Sequence, residues 1–427
     1  MKRVLRIAFC GFLLLLAGCS SLQSFDPDWI NRALYTSTPV PVDLSTPTPA
    51  PTTGTPSSPE LPQPAIAVPT VLRIWLPPQF NPNLNNNAAE LLKQRLATFE
   101  AGHPGLKIDV RIKSEQGEAD LLNSLSITSM AAPAALPDLI ALPRPALVSA
   151  AQKGLLQPLD DISVDADWYP YARDMGKVDG VTVGIPFAGD ALVMMYRSEL
   201  VWIKNWDGIL LSESHLVFAG ADPQAQVGLA LYLSAGGQVQ DAQGNPTLDQ
   251  ETLERVLELF SRGRAATIFP TSVSNLVTED QVMQEYRARR AEMSIAHYSY
   301  YRSNQDGLIQ PLMGLDEEHL TLATGWSWAM AAQKMDNRSI ARDLLEFLAA
   351  DEFVSQWVTE AGYLPTHPAV LDEADEETVL PIIQASRLTP PDDVLLVLGP
   401  IMQEALVRVL SGEQPDAVAR SVIEKLK

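Results

Sequence analysis

The chain has 427 residues, with 31 Lys plus Arg against 52 Asp plus Glu and a net charge of −21. Apolar residues make up 46% and charged residues 19%, enough to bury large cores, which excludes bulk disorder and suggests two or three domain-sized units. The acidic balance excludes nucleic-acid binding and charge-driven docking on an anionic membrane, since both need clustered cations, and with Cys10 and Cys19 as the only cysteines there is no disulfide framework.

Lys2, Arg3 and Arg6 form a positive n-region, and Ile7 to Ala17 is an apolar run of signal h-region length, too short to span a membrane. It ends in Leu16-Ala17-Gly18-Cys19-Ser20-Ser21, which resembles the lipobox of bacterial lipoproteins. That resemblance implies cleavage after residue 18 and acylation of Cys19, palmitate included, leaving an extracytoplasmic protein held on the cell envelope by lipid. Cys19 is then an anchor, not a nucleophile or metal ligand.

Residues 19–70 are read as the anchor and its tether. Thr38 to Thr70 holds ten Pro and ten Ser or Thr in 33 residues, too little apolar surface to offset the entropy of ordering. A Pro-rich chain favours extended polyproline II at about 3.1 Å per residue, a reach of roughly 100 Å.

The globular body is expected from residue 71. Val71 to Leu76 reads as a strand. Ala88 to Ala101 has helical spacing, with Leu91, Leu92, Leu96 and Phe99 on one face and Gly102-His103-Pro104-Gly105 as its stop. Leu106 to Ile112 alternates as a second strand, Ala119 to Ala131 is a helix, and Pro137 to Leu142 is a buried strand. Ala146 to Lys153 is a helix closed by Gly154. Further on, Ala191 to Tyr196 is strand-like and Asp222-Pro223 opens a helix reaching Ser234. Asp249 to Arg262 is amphipathic, with Gly263 after it. Helices are also predicted at Gln281–Arg290, Ile340–Ala349, Glu352–Glu360, Val394–Leu410 and Asp416–Leu426. Strands alternating with helices imply an α/β fold with a parallel, doubly wound sheet.

Enzyme signatures are missing. There is no His-Glu-x-x-His, no Gly-x-Ser-x-Gly and no phosphate-cradling Gly-rich loop with Lys. The five histidines have no metal-ligand spacing, and Asp316-Glu317-Glu318-His319 is one local acidic run, read as a solvated loop. Neither catalysis, nor a cofactor, nor a metal is expected.

Several collinear segments resemble the bacterial extracellular solute-binding proteins, in particular the sugar receptors related to maltose-binding protein. They are Phe99 to Gly105, Leu136-Pro137-Asp138-Leu139 with Gly154 to Asp160, Gly184-Ile185-Pro186-Phe187, Arg290 to Ile295, Gly362 to Thr366 and Ser411-Gly412. The resemblance implies a periplasmic-binding-protein-like fold of type II kind, with two α/β lobes, a ligand cleft and a hinge. Lobe one is expected to hold residues 71–192 and 322–368, and lobe two residues 193–321 and 369–427. It also implies a monomer that passes a small solute, a carbohydrate first, to an ABC importer permease. A ferric-iron or other non-sugar receptor, drawing on Tyr298, Tyr300 and Tyr301, is the alternative; a sensory or structural surface lipoprotein is another.

A sugar cleft needs aromatic faces for C–H surfaces and polar groups for hydroxyls. Asp190 stands where the sugar receptors have a ligand-contacting acid, and Tyr298 and Tyr301 stand where they have an aromatic, ligand-facing loop. Trp326 and Trp328 fall on one side of an extended run. Arg144, after a strand, and Gln224, with Gln226, near a helix start, complete the candidate set. Leu142 and Gly399-Pro400 replace aromatic residues of the sugar receptors, so two stacking groups are missing.

Overall fold

The computed structural model describes residues 70–426, except 116, 161, 163–166, 201–202, 305, 317–318, 333–336 and 374. The signal segment, Cys19 and nearly all of the Pro-rich tether lie outside the described residues.

The body opens with β1 (Thr70–Leu76), α1 (Asn87–Gly102), β2 (Leu106–Ile112), α2 (Leu121–Ala131), β3 (Leu139–Pro143) and α3 (Arg144–Gln152). Asn86 caps α1 by accepting the Ala89 N–H at 2.8 Å. Leu92, Leu96 and Phe99 bury the predicted face, with Leu91 at its margin. Gly154 follows α3 in the left-handed conformation at φ 66°. Next come α4 (Pro170–Arg173), the hairpin β4 (Lys177–Val178) and β5 (Val181–Thr182), and the long strand β6 (Ile185–Tyr196).

The second part holds α5 (Trp206–Leu210), β7 (Leu216–Val217), α6 (Gln226–Ser234), α7 (Gln250–Ala265), α8 (Glu279–Arg287), β8 (Met293–His297), α9 (Tyr298–Asn304) and β9 (Leu308–Pro311). The chain returns through β10 (Thr321–Ala329), α10 (Arg338–Leu348) and α11 (Asp351–Ala361). It closes with α12 (Glu376–Ala385), β11 (Ser386–Leu388), α13 (Asp392–Leu410) and α14 (Pro415–Ile423).

One sheet of nine strands runs β2-β1-β3-β10-β6-β8-β7, with β11 beside β10 and β9 beside β6. β1 pairs in parallel with β2 and β3, as the alternation of strands and helices requires. The expectation of an all-parallel sheet is corrected at the centre, where β10 is antiparallel to both β3 and β6, and β6 to β8 and β9. The reason is that β6 and β10 carry the chain in opposite directions between the two halves of the sheet. β6 pairs with β10 through Ala191 and with β8 from Leu192 onward. All twelve of its residues are buried. Near its start the ladder slips, so that Trp326 faces Ala188, Ser327 faces Pro186, and Phe187 is left unmatched. Pro186 has no N–H to give the ladder, which favours a bulge there.

One core surrounds the β1 half, built on Leu72, Ile74, Leu92, Trp328, Leu345 and Trp357. Another surrounds the β8 half, built on Leu253, Phe260, Met293, Leu398 and Leu406. A third cluster, with Ala191, Val193, Tyr286, Tyr298 and Leu364, packs where β6 changes partners.

Three local expectations are corrected. The helix expected at Asp222 begins at Gln226, because the Asp222 carboxylate accepts the N–H groups of Gln224 and Gln226 at 3.0 Å each and closes a turn around Pro223. Gly263 lies inside α7 rather than after it: a Cβ there would come within 2.1 Å of the Phe269 ring, so its role is close packing. The segment Tyr298–Tyr301, expected as a loop, is the start of α9.

Candidate functional site

Asp190 lies on β6 one residue before the partner switch and is only 4% exposed. Its Oδ1 accepts the N–H of Ala191 at 3.0 Å and of Ser299 at 3.2 Å, tying the shared strand to the first turn of α9. Burial pushes its carboxyl above the ordinary range, and Glu279 adds to this while His297 opposes it.

His297 ends β8. Its Nδ1 lies 2.8 and 3.0 Å from the two carboxylate oxygens of Glu279, and its backbone N–H donates to the same side chain at 3.1 Å. Glu279 is the first residue of α8, which Thr278 and Gln281 start with a capping box. Burial alone would lower the His297 pKa, but Glu279, then Asp190 and Asp222, raise it to about 9. The ring is therefore an imidazolium at neutral pH. Asp222 joins the group from the turn before α6; burial raises its pKa, its two backbone donors lower it and Glu279 raises it again.

Asp222, Glu279 and His297 border an open pocket of about 180 Å³, lined also by Gln226 and Tyr300 over an apolar floor that includes Leu192 and Ile295; the buried Asp190 does not line it. An aromatic wall stands in the other half of the sheet. Trp326 Nε1 donates to Glu115 Oε1 at 2.6 Å and Gln79 Nε2 donates to Glu115 Oε2 at 2.9 Å, so both oxygens of Glu115 are held. The Tyr363 ring meets Trp326 edge-on at 4.9 Å, and Phe80 packs edge-on against both, at 5.6 and 5.3 Å. Burial, then Asp190, Glu115 and Tyr300, push the Tyr363 phenol up, which puts the wall and the acidic pocket within electrostatic reach of each other.

The predicted residues divide accordingly. Asp190 is buried, tying β6 to the start of α9 without lining the pocket, and Trp326 is in the aromatic cluster. Trp328, expected beside Trp326, is 3% exposed and stacked on Phe187 at 4.6 Å, since the unmatched Phe187 covers it. Tyr298 is buried and packs against Tyr301 at 6.2 Å. In a helix, positions three apart share a face, so these two rings group together and Tyr300 is the tyrosine that lines the pocket. Arg144 is committed to the carbonyls of Met175 and Lys177, at 2.9 and 2.7 Å. Gln224 is exposed on the turn, while Gln226 reaches the pocket.

Sequence reasoning passed over Glu115, Glu279, His297 and Tyr363 as site residues. Tyr363 stood inside the Gly362 to Thr366 segment, His297 immediately precedes Tyr298, and Glu279 follows a capping threonine; Glu115 carried no local signal.

The ionisation of His297 gives a stability prediction. A folded pKa near 9 against an ordinary 6.5 stabilises the protein fully below pH 6.5, and this is lost as pH rises through 9. The loss is about 3 kcal/mol. The raised carboxyls of Asp190 and Asp222 act in the same direction at lower pH. Urea unfolding at pH 6.5 and 9.5 should show the decline, and Glu279→Gln should flatten it.

A mixed sheet whose halves share β6 and β10 is the architecture of maltose-binding-type periplasmic binding proteins. The chain belongs to the bacterial extracellular solute-binding protein family, whose model matches residues 94–381. Among solved structures it resembles maltose-bound T. maritima MalE3, at 17% identity and a TM-score of 0.65 over 84% of this chain and 99% of that one. It also resembles the sugar-binding protein MalE of Xanthomonas citri, at 17% and 0.66 over 84% and 96%. A third is an ABC transporter solute-binding protein of Thermotoga lettingae with α-D-tagatose bound, at 17% and 0.62 over 84% and 98%. The protein is a solute-binding component of ABC-importer type with an extracytoplasmic location. No helix among the described residues is long and apolar enough to cross a membrane.

Proposed function

We propose that this protein captures a carbohydrate in the cleft at the β6 partner switch and presents it to its permease without catalysing a reaction. The observation that carries the reading is the pairing of Trp326 and Tyr363, supported by the buried Phe80, with carboxylates and an imidazolium near Asp190. Aromatic faces cover sugar C–H surfaces, and carboxylates accept from hydroxyls. The solved relatives named above are described with maltose, with sugar and with α-D-tagatose. Two lobes dividing near residue 192 fit the two cores, and closure of one on the other follows if the solute touches both.

The iron reading is the weaker one. Burial is the largest influence on Tyr298 and Tyr300 and pushes both phenols up, which works against phenolate ligands.

A thermal-shift screen of the purified protein against mono- and oligosaccharides, polyols, amino acids, polyamines and ferric salts tests the assignment. A ligand at 100 times its Kd stabilises by about 2.7 kcal/mol. A selective sugar response is expected; a response to iron alone would remove the carbohydrate reading.

The same proposal places the body as a monomer on the tether, lipid-anchored through Cys19. Cys19→Ser should move the protein from the membrane fraction to the soluble fraction on ultracentrifugation. Continued membrane retention would remove the anchor.

A further inference from the structure

The pocket beside Asp190 carries more negative charge than its own walls neutralise. Asp222 and Glu279 line it, and Asp190 is close enough to influence His297. Among the described residues His297 is the only cation lining it, and its Nδ1 is already paired with Glu279. No described Lys or Arg lines it. The hydrogen bonds that hold Asp190 and Asp222 come from neutral donors, the backbone N–H groups of Ala191, Ser299, Gln224 and Gln226 and the Ser299 hydroxyl. Such donors fix the carboxylates in place without cancelling their charge. Burial and the charge of Glu279 both disfavour ionisation of these two acids, the signature of a site short of positive charge.

Size supplies an independent observation. About 180 Å³ is below the roughly 300–1,000 Å³ of pockets that hold drug-sized ligands. Leu142 and Gly399 supply no stacking face for an extended chain. A Cβ at Gly399 would come within 2.5 Å of the Pro223 carbonyl oxygen, so that position admits no side chain.

We propose that the solute is a single-ring polyol carrying a protonated amine, with the amine between Asp222 and Glu279 and the ring against Tyr300. This deepens the carbohydrate reading and rests on it. The amine supplies the missing positive charge, and the fixed carboxylates are already oriented to accept its N–H donors.

Isothermal titration of the full chain at pH 7 with glucosamine, N-acetylglucosamine and glucose tests it, because acetylation keeps the ring and removes the charge. Glucosamine should bind at least tenfold tighter than either neutral sugar, and added salt should narrow the gap. Asp222→Asn should reduce the preference. The comparison within the unaltered protein stands whether or not that variant folds. Equal or tighter binding of glucose or N-acetylglucosamine overturns the proposal and leaves the carbohydrate reading intact, as does binding of maltotriose alone. Binding of putrescine with no sugar binding overturns both. Absence of binding by every compound overturns the proposal, and the broader screen then decides the carbohydrate reading.

Discussion

Asp190→Ala should abolish practical solute binding while leaving a folded but weakened protein. Asp190 is the side chain through which β6 holds the start of α9, and it lies 109 residues from Ser299 in sequence. Truncation leaves the Ser299 and Ala191 N–H groups without their acceptor. An unsatisfied buried donor costs about 1–3 kcal/mol. Relief of the repulsion between Asp190 and Glu279 offsets part of this. Binding has no such compensation. Removing one partner of a buried polar contact costs about 2–5 kcal/mol, or roughly 30-fold to several thousand-fold in affinity. Asp190→Asn separates the effects, since its amide oxygen can still accept from Ser299 while the charge is gone. Calorimetry on both variants, with the carbohydrate identified by the screen, checks this. Unchanged affinity in Asp190→Ala would exclude Asp190 from the site.

Trp326→Ala should produce the larger stability loss. Its ring is 9% exposed and meets Phe80 and Tyr363, and its Nε1 anchors Glu115. Emptying a buried Trp position costs about 3–5 kcal/mol. The urea midpoint should fall with little change in slope, since the surface exposed on unfolding is nearly the same. Trp326→Phe keeps an aromatic face and deletes the donor to Glu115. A hydrogen bond to a charged group contributes about 1.5–3 kcal/mol. The Phe variant should therefore be destabilised less than the Ala variant and bind solute more weakly than the parent through a misplaced Glu115. Equal stability of Trp326→Ala and the parent protein would contradict the packing described here.

Much of the fold was legible because hydrophobic periodicity is local. Leu92, Leu96 and Phe99 announced α1, and the amphipathic run from Asp249 to Arg262 announced α7. The misjudged boundaries were those set by distant atoms. Gly263 resembled a helix stop, yet Phe269 explains it. Asp222 resembled a cap, yet its carboxylate closes a turn and delays α6 to Gln226.

The site divides in the same way. Asp190 was named because it stands where the sugar receptors have a ligand-contacting acid, and Trp326 because alternation in an extended run puts it beside Trp328. Tyr298 and Tyr301 were named for the carbohydrate site and Tyr300 was not, because a loop was expected where a helix turns successive side chains by about 100° and brings Tyr300 to the pocket. Glu115 was silent because its significance depends on Trp326, 211 residues away.

The sequence by itself determined an acidic, importer-type binding protein with an α/β body beginning near residue 70, and it supplied every charge and ring of the site. Only the tertiary structure decided which of them meet. Pairing of Leu192 with His297 and of Ala191 with Ala323 brings segments from distant parts of the chain to one place on β6. Long-range strand register determines which side chains converge, and no local pattern of residues encodes that register on its own.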